Sequence, residues 1–507
     1  MKKIQIILLS VLAVIVSSCE DFLTQDPQNS LSIEQIFADL DNVQPYLNNI
    51  YYDFRAIHSD RAGFYTRMGT DEIRIGDCQC QVANEGALNY YNGLYNTENT
   101  CIASMWKSRW PVVVQAAQAI DALEDKSGAD EEEQQKITLF LAQSKFYRGS
   151  ALFELAQYWG ALPLTQVEDG SIILSARKTI QETYQQIVSD LEYAATNLPI
   201  TRQEDGRIPT AWAAKAMLAR VYMSAPQESG YQSWKNASDV LQDIIDSGVY
   251  KLMPNYSDLW DPSVNCKDEA IFTLYFNNVW PDLAVMQWYT GSRAVSGTPT
   301  CPFGGYELVL PTEWAYNKTS QGGVWEDGDL RYDETIRTDF TYQGKKAVAV
   351  AGFGDDQLDP HIKKYEDNRI EGVYSIWYAG KNIYYLRYAD VLLLQAECKA
   401  QLNDEAGAIA LVNQVRQRGF GANWTDAQAW TSYSIENLMD ERTREFCCEE
   451  WRRIDLKRSG LFIDRVKKYN KFAKENNTLD EHHLLYPFPE TETKINTNLS
   501  GVQNPGY

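Results

Sequence analysis

Apolar positions recur at helical spacing through two long stretches of the chain and lose that spacing between them. In residues 138–153 (TLFLAQSKFYRGSALF), Leu139, Ala142, Phe146, Gly149 and Phe153 alternate steps of three and four, which places them on one helical face. The small members of that face predict the close approach of a second helix. Thr179-Ile-Gln-Glu182 has the spacing of a capping box, in which hydroxyl and carboxylate satisfy each other's free amides, and predicts the next helix start. Residues 213–223 (AAKAMLARVYM) and 234–245 (WKNASDVLQDII) predict a helix pair across a Gly-containing turn. Residues 389–402 (ADVLLLQAECKAQL) and 404–418 (DEAGAIALVNQVRQR) predict another.

Between these stretches, over 251–381, Gly, Pro, Asn, Asp and aromatic residues crowd together. Only short strand-like runs stand out there, Glu269–Phe276 and Ala347–Ala351. A similar irregular patch covers 58–101. Irregular segments this long inside a compact chain are usually functional or a subdomain. The Ala, Leu and Tyr scatter on the paired helices resembles tetratricopeptide units, without their strict period. The expected fold is therefore mainly α: a tetratricopeptide-like scaffold of helical hairpins carrying a long loop-rich insert with short strands. The expected divisions are a leader at 1–18, a helical region at 19–250, the insert at 251–381 and a second helical region at 382–507. The two helical regions are expected to pack as one unit.

Charge and composition narrow the function. The chain has 507 residues, with 47 Lys and Arg against 69 Asp and Glu, a net charge of −22. That balance excludes a nucleic-acid binder, which needs a basic face against phosphate. Aromatic residues are in surplus, with 14 Trp, 31 Tyr and 17 Phe. At the start, Lys2 and Lys3 precede an apolar run over 4–16, too short for a membrane-spanning helix, which needs about 20 residues. The run ends in Val16-Ser17-Ser18-Cys19, which resembles a bacterial lipobox, so Cys19 is the expected lipidation site and the mature N-terminus. Acylation with two or three chains anchors a protein stably. Of the other cysteines, Cys78-Gln-Cys80 with Cys101 suggests a disulfide from Cys101 to Cys78 or Cys80 before it suggests a metal site. With four His and no second CxxC or HExxH, no metal site and no cofactor are expected. No nucleophile elbow, phosphate loop or zincin motif points to an enzyme.

Five blocks in order along the chain resemble the SusD/RagB family of Bacteroidetes outer-membrane lipoproteins. They are the mature start Cys19-Glu-Asp-Phe-Leu-Thr-Gln-Asp-Pro27; RGSALFELAQYWGALPL from Arg148 to Leu164; Tyr385-Leu-Arg387-Tyr388-Ala389-Asp390-Val391 with Ala396-Glu397 and Asn413-x-Val415-Arg416; Glu441-Arg442-x-x-Glu445-Phe446 with Glu449, Arg452, Asp455-Leu456 and Arg458; and Tyr486-Pro487-x-Pro489 with the terminal Gln503-Asn504-Pro505-Gly506-Tyr507. Glu450 stands where the family usually has Gly, and Arg453 where it usually has an aromatic residue. Glu20-Asp21 resembles the acidic surface-export tag of Bacteroidetes lipoproteins. The charged cluster reads as a fold-holding network: Glu449 precedes Arg452 and Arg453 by three and four residues, and Asp455 precedes Arg458 by three, spacings that pair on a helix. Arg387 and Asp390 read the same way. Trp106, Trp110 and Trp212 read as helix packing, and the terminal segment as a docked tail.

The resemblance implies a non-enzymatic, outer-membrane lipoprotein facing the cell exterior. Such a protein captures a glycan and acts as the lid of a SusC-like TonB-dependent transporter. Oligopeptides are the alternative ligand; a helical protein-interaction scaffold and a surface glycoside hydrolase are the alternative functions. Sugar rings stack their C–H faces on flat aromatic side chains and need polar partners for their hydroxyls. The resemblance places such contacts in loops, so the expected platforms are Tyr90, Tyr91 and Tyr95 in the first irregular patch and Trp280, Trp288, Tyr289, Trp314 and Trp325 in the insert. Asn92 and Asn96 are the expected hydroxyl partners.

Overall fold

The computed structural model describes residues 31–507, apart from 81, 169, 278, 280, 281, 295–304, 343, 344, 368 and 370–377. The leader, Cys19, Trp280 and Cys301 lie outside the described residues. The fold is mainly helical. The helices that build it are α1 (Val43–Ser59), α2 (Arg61–Tyr65), α3 (Thr100–Glu124), α4 (Glu131–Trp159), α5 (Ile180–Asn197), α6 (Ala211–Ser224), α7 (Trp234–Asp246), α8 (Met286–Thr290), α9 (Tyr388–Gln401), α10 (Glu405–Phe420), α11 (Ile435–Phe446) and α12 (Arg452–Arg458). From α3 to α7 each long helix packs on the one before it, and α9 then packs on α7 and α10 on α9. The array therefore continues past the residues between α7 and α9, with Gln395 donating to the Ser238 carbonyl and to Gln242 across the junction.

Local sequence explains these contacts. The Thr179 hydroxyl accepts from the Glu182 amide while the Glu182 carboxylate accepts from the Thr179 amide, so the capping box forms. Gly149 of α4 faces α5 so closely that a Cβ there would lie 2.9 Å from the Leu191 side chain. Arg148 next to it makes a two-pronged ion pair with buried Asp190, both bonds at 2.7 Å. Most of the second half of α4 is buried on every side, as expected of a helix at the centre of an array.

Strands are few, short and paired in twos among the described residues. Besides the hairpin of β2 (Gln166–Glu168) and β3 (Ser171–Ile173), two antiparallel pairs matter for the site. β4 (Ala270–Leu274) pairs with β6 (Ile383–Arg387), so both ends of the insert leave the helical array side by side. β1 (Ile73–Ile75) pairs with β5 (Val309–Pro311), Ile73 opposite Pro311 and Ile75 opposite Val309, which brings the first irregular patch against the insert.

Much of the aromatic surplus lies in the core. Phe54, Tyr147, Phe272, Tyr385 and Trp451 form one run of ring contacts, and Trp106, Trp159, Tyr486 and Phe488 form another. Trp106 is buried as expected, whereas Trp110 and Trp212 are half-buried at the margin. The C-terminal tail docks on the same core: Asn504 donates to the carbonyls of Trp159 and Tyr486 at 3.0 and 2.7 Å.

Four expectations are corrected. Ala347–Ala351 is not a strand, because the Gln357 side-chain amide bonds both Val350 N–H and Val350 C=O and takes the place of a partner strand. The patch at 58–101 is not irregular throughout: it holds α2, β1 and the helix Ala83–Tyr90, pieces too short to show a period. Cys78, Cys80 and Cys101 are unbonded thiols. Burial pushes the Cys101 thiol up to about 12, beside Tyr65, while Cys80 faces Asp77, so they belong to different surroundings. Finally, Glu449 sits in the bend before α12 and pairs with Lys364 and Arg387 rather than with Arg452 or Arg453. The pair Asp455–Arg458 does form.

The network itself is larger than the helical spacings suggested. Arg387 bonds Glu269, Glu445 and Glu449; Arg331 bonds Asp329, Glu441 and Glu445; Asp390 bonds Arg220 and Arg442, and all are buried. Three guanidinium groups, led by Arg331, hold the Glu441 carboxyl down at about 2 although burial alone would raise it.

Candidate functional site

The β1–β5 pairing sets α2 beside α8 and residues 305–307. The Tyr306 amide donates to the Trp288 carbonyl at 2.7 Å and the Glu307 amide to the Gly291 carbonyl at 3.1 Å, which fixes the two segments alongside each other. As a result the rings of Trp288 and Tyr306 stack, with centroids 5.5 Å apart and planes within 19°. Two guanidinium groups close on Tyr306, Arg61 from α2 at 5.1 Å and Arg293 at 4.5 Å, and Arg293 also lies 4.7 Å from the Phe353 ring. All five residues are half-buried. They form a shelf of alternating aromatic and cationic groups.

The shelf is held from below. Arg61 donates to the Glu85 carboxylate at 2.7 Å and to the Tyr65 hydroxyl at 2.9 Å, and Tyr65 donates to the same carboxylate oxygen at 2.8 Å. Burial works against the Arg61 charge, yet Tyr65, Tyr306 and Glu85 together raise its pKa. Tyr289 turns inward from α8 and meets the Phe64 ring edge-on at 5.1 Å; burial pushes its hydroxyl up to about 12. Beneath Arg293 lies buried Glu307, whose backbone is left-handed at φ 53°. Its carboxylate is 3.8 Å from Arg293 and 3.6 Å from His361 Nε2, accepts no hydrogen bond among the described residues, and is raised by burial.

Of the expected platforms, the structure brings Trp288 and Tyr289 together here, Trp288 half-buried in the stack with Tyr306 and Tyr289 against Phe64. The others among the described residues lie elsewhere. Tyr91 and Tyr95 are core residues: their rings stack at 5.5 Å, and Tyr95 also faces Tyr486 and Tyr507. Trp314 is buried and stacks on Tyr469 at 4.5 Å, and Trp325 is fully buried, donating to the Ala315 carbonyl at 2.7 Å. None of these four offers a free face, which corrects their expected role. Tyr90 is half-buried against Phe472. Asn92 and Asn96 shape the turn they sit in, accepting from the amides of Leu94 and Glu98 at 3.0 and 2.9 Å. Arg61, Arg293, Tyr306 and Phe353 were not singled out by sequence, since no aromatic doublet or motif marks them.

A flat ring pair stacks on the apolar face of a pyranose, and flanking guanidinium groups donate to its oxygens. Among the described residues of the shelf, none is arranged as a nucleophile with a base. Elsewhere, Asp480, His482 and His483 bring three ligand-type atoms within 4.8 Å of one another, but His483 Nδ1 already accepts from the Asp480 amide at 3.2 Å. Among the described residues no helix is long and apolar enough to cross a membrane.

Comparison with known proteins adds the following. Residues 21–223 match a family model described as "Starch-binding associating with outer membrane", and residues 297–507 match the model of the SusD family. SusD-like protein P25 of Formosa agariphila is 24% identical, with 97% of each chain covered. The crystal structure of a SusD homologue from Bacteroides thetaiotaomicron superposes with a TM-score of 0.77 at 18% identity, covering 95% of this chain and 100% of that one. Surface glycan-binding protein A from Bacteroides thetaiotaomicron, in complex with laminarihexaose, superposes with a TM-score of 0.73 at 17% identity, covering 92% and 99%. At these identities the solved structures establish a shared fold.

Proposed function

The chain belongs to the SusD/RagB family, and from that premise we propose that it is a non-enzymatic glycan-binding lipoprotein of the outer membrane, anchored through Cys19 and facing the cell exterior. In this reading it captures an oligo- or polysaccharide and passes it to a SusC-like TonB-dependent transporter, which it covers as a lid. The observation that carries the ligand class is the Trp288–Tyr306 stack flanked by Arg61 and Arg293. The laminarihexaose complex of a protein with the same fold supports a carbohydrate ligand. Stacking contacts contribute about 0.5–1.5 kcal/mol each, which suits capture followed by release.

The test is calorimetric titration of the full-length protein in detergent against starch, laminarin and other neutral glycans, with oligopeptides as a parallel series. A glycan ligand should be identified, and Trp288→Ala should weaken it by about tenfold, the equivalent of 1.4 kcal/mol. Binding of peptides alone, or a Trp288→Ala protein that binds glycan as well as the parent, would overturn the reading. Co-purification from native membranes checks the transporter partner separately.

A further inference from the structure

A second concavity lies away from the shelf, and we propose that it is an additional ligand site for an acidic sugar unit, one carrying a carboxylate or a sulfate. It is a cleft of about 770 Å³ between α1, the loop that joins α5 to α6, and the ends of β4 and β6. That volume falls within the range of small-molecule sites, about 300–1,000 Å³. Its walls combine rings, from Tyr52, Tyr275 and Tyr384, with the amides of Asn265, Asn277 and Asn382, the pairing a pyranose calls for.

The charge arrangement selects the anion. Arg207 is matched by Asp205 in a two-pronged pair at 2.7 and 2.8 Å, and Arg55 by Asp282 at 3.0 Å. Arg202 is different. Half-buried in the same wall, it donates to the Ala270 carbonyl and at 3.4 Å to the Tyr275 hydroxyl, and among the described residues no carboxylate pairs with it. Exposed Lys267 on the opposite loop likewise has no carboxylate partner among them. Exposed Glu204 also lines the cleft, so its lining carries Arg55, Arg202, Arg207 and Lys267 against Glu204, Asp205 and Asp282, a small cationic excess within a chain of net charge −22. A guanidinium whose partners are neutral keeps its planar donors suited to a carboxylate or sulfate.

The wall is also fixed in place. The Tyr275 ring lies on Gly206 so closely that a Cβ there would come within 2.5 Å of it, and the Tyr275 amide donates to Tyr51 at 2.7 Å while Arg55 donates to the Tyr275 carbonyl at 2.7 Å. Ring and guanidinium are thus positioned before any ligand arrives, which lowers the ordering cost of binding.

The experiment is isothermal titration of the full-length protein in detergent with three oligosaccharides of equal length: oligogalacturonate, a sulfated galactan and a neutral galactan. At least one acidic ligand should bind about tenfold tighter than the neutral one and weaken with added salt; which of the two does so names the anionic group. Arg202→Gln should lose about tenfold in affinity for that ligand, and Lys267→Glu, a change at an exposed position that does not threaten folding, about threefold. Acidic and neutral ligands binding equally, or both variants binding the acidic ligand as the parent does, would overturn the proposal.

Discussion

At position 453 a guanidinium lies 4.5 Å from the Phe462 ring and 4.7 Å from that of Tyr486, between two rings. Arg453 also donates to the His483 carbonyl at 2.6 Å, so a flat cation does the packing of a ring. Glu450 is matched within the chain by Arg67 and His58, and although burial opposes its charge these partners hold it down at about 2. Both buried charges are therefore accommodated by specific partners elsewhere in the chain. The same logic makes Glu441 a sensitive position. Its carboxylate accepts from Arg331, Arg416 and Arg444 at 2.7–2.9 Å. Glu441→Gln leaves three buried guanidinium groups without that charge and should cost about 3–5 kcal/mol, read from the midpoint of denaturant unfolding. An unchanged midpoint would show that the network does not hold the fold.

Among the elements, the helices that pack through apolar faces were readable in advance, and those that pack through charge were not. The capping box at Thr179 and the small residue at Gly149 were each visible as patterns, and α5 and its contact with α4 followed from them. Thr179→Ala should remove about 1 kcal/mol, measured as a lowered unfolding midpoint with ligand binding intact. By contrast α11 and α12 bury Glu441, Glu445, Arg452 and Asp455, so their inward faces look like solvent faces to any reading based on hydrophobicity. Their partners include Arg387 on β6, Arg416 and Arg418 on α10, Arg220 on α6, and Arg331 and Asp71 outside these elements, separations that one sequence does not reveal. The candidate site divides in the same way. Trp288 was readable because no helical face demanded it, but its stacking partner Tyr306 depends on two backbone hydrogen bonds between segments. Tyr91, Tyr95, Trp314 and Trp325 misled because loops in this protein also need a core of their own.

For the whole molecule, the balance of charge sets the response to acid. Glu441 and Glu450 have folded-state pKa values near 2, below the ordinary glutamate value of 4.5. A depressed carboxyl contributes stability above its unfolded pKa and loses it as the pH falls toward the folded one. Unfolding free energy should therefore be level above pH 4.5 on their account and drop steeply from there toward pH 2. A stability that is flat across that window would contradict the assigned pairs. The docked tail acts at the same scale. Deleting residues 503–507 removes the Asn504 bonds to Trp159 and Tyr486 and the Tyr507 hydroxyl bond to Leu485 at 2.9 Å, and should lower the thermal midpoint of the entire molecule rather than fray one end.

That tail also fixes an order of events. Asn504 reaches Trp159 across 345 positions of chain, so this contact of the central helix cannot form before the last residues are made. Contacts of such separation form late. The tail therefore closes over a helix whose own neighbours in the array lie much nearer in sequence.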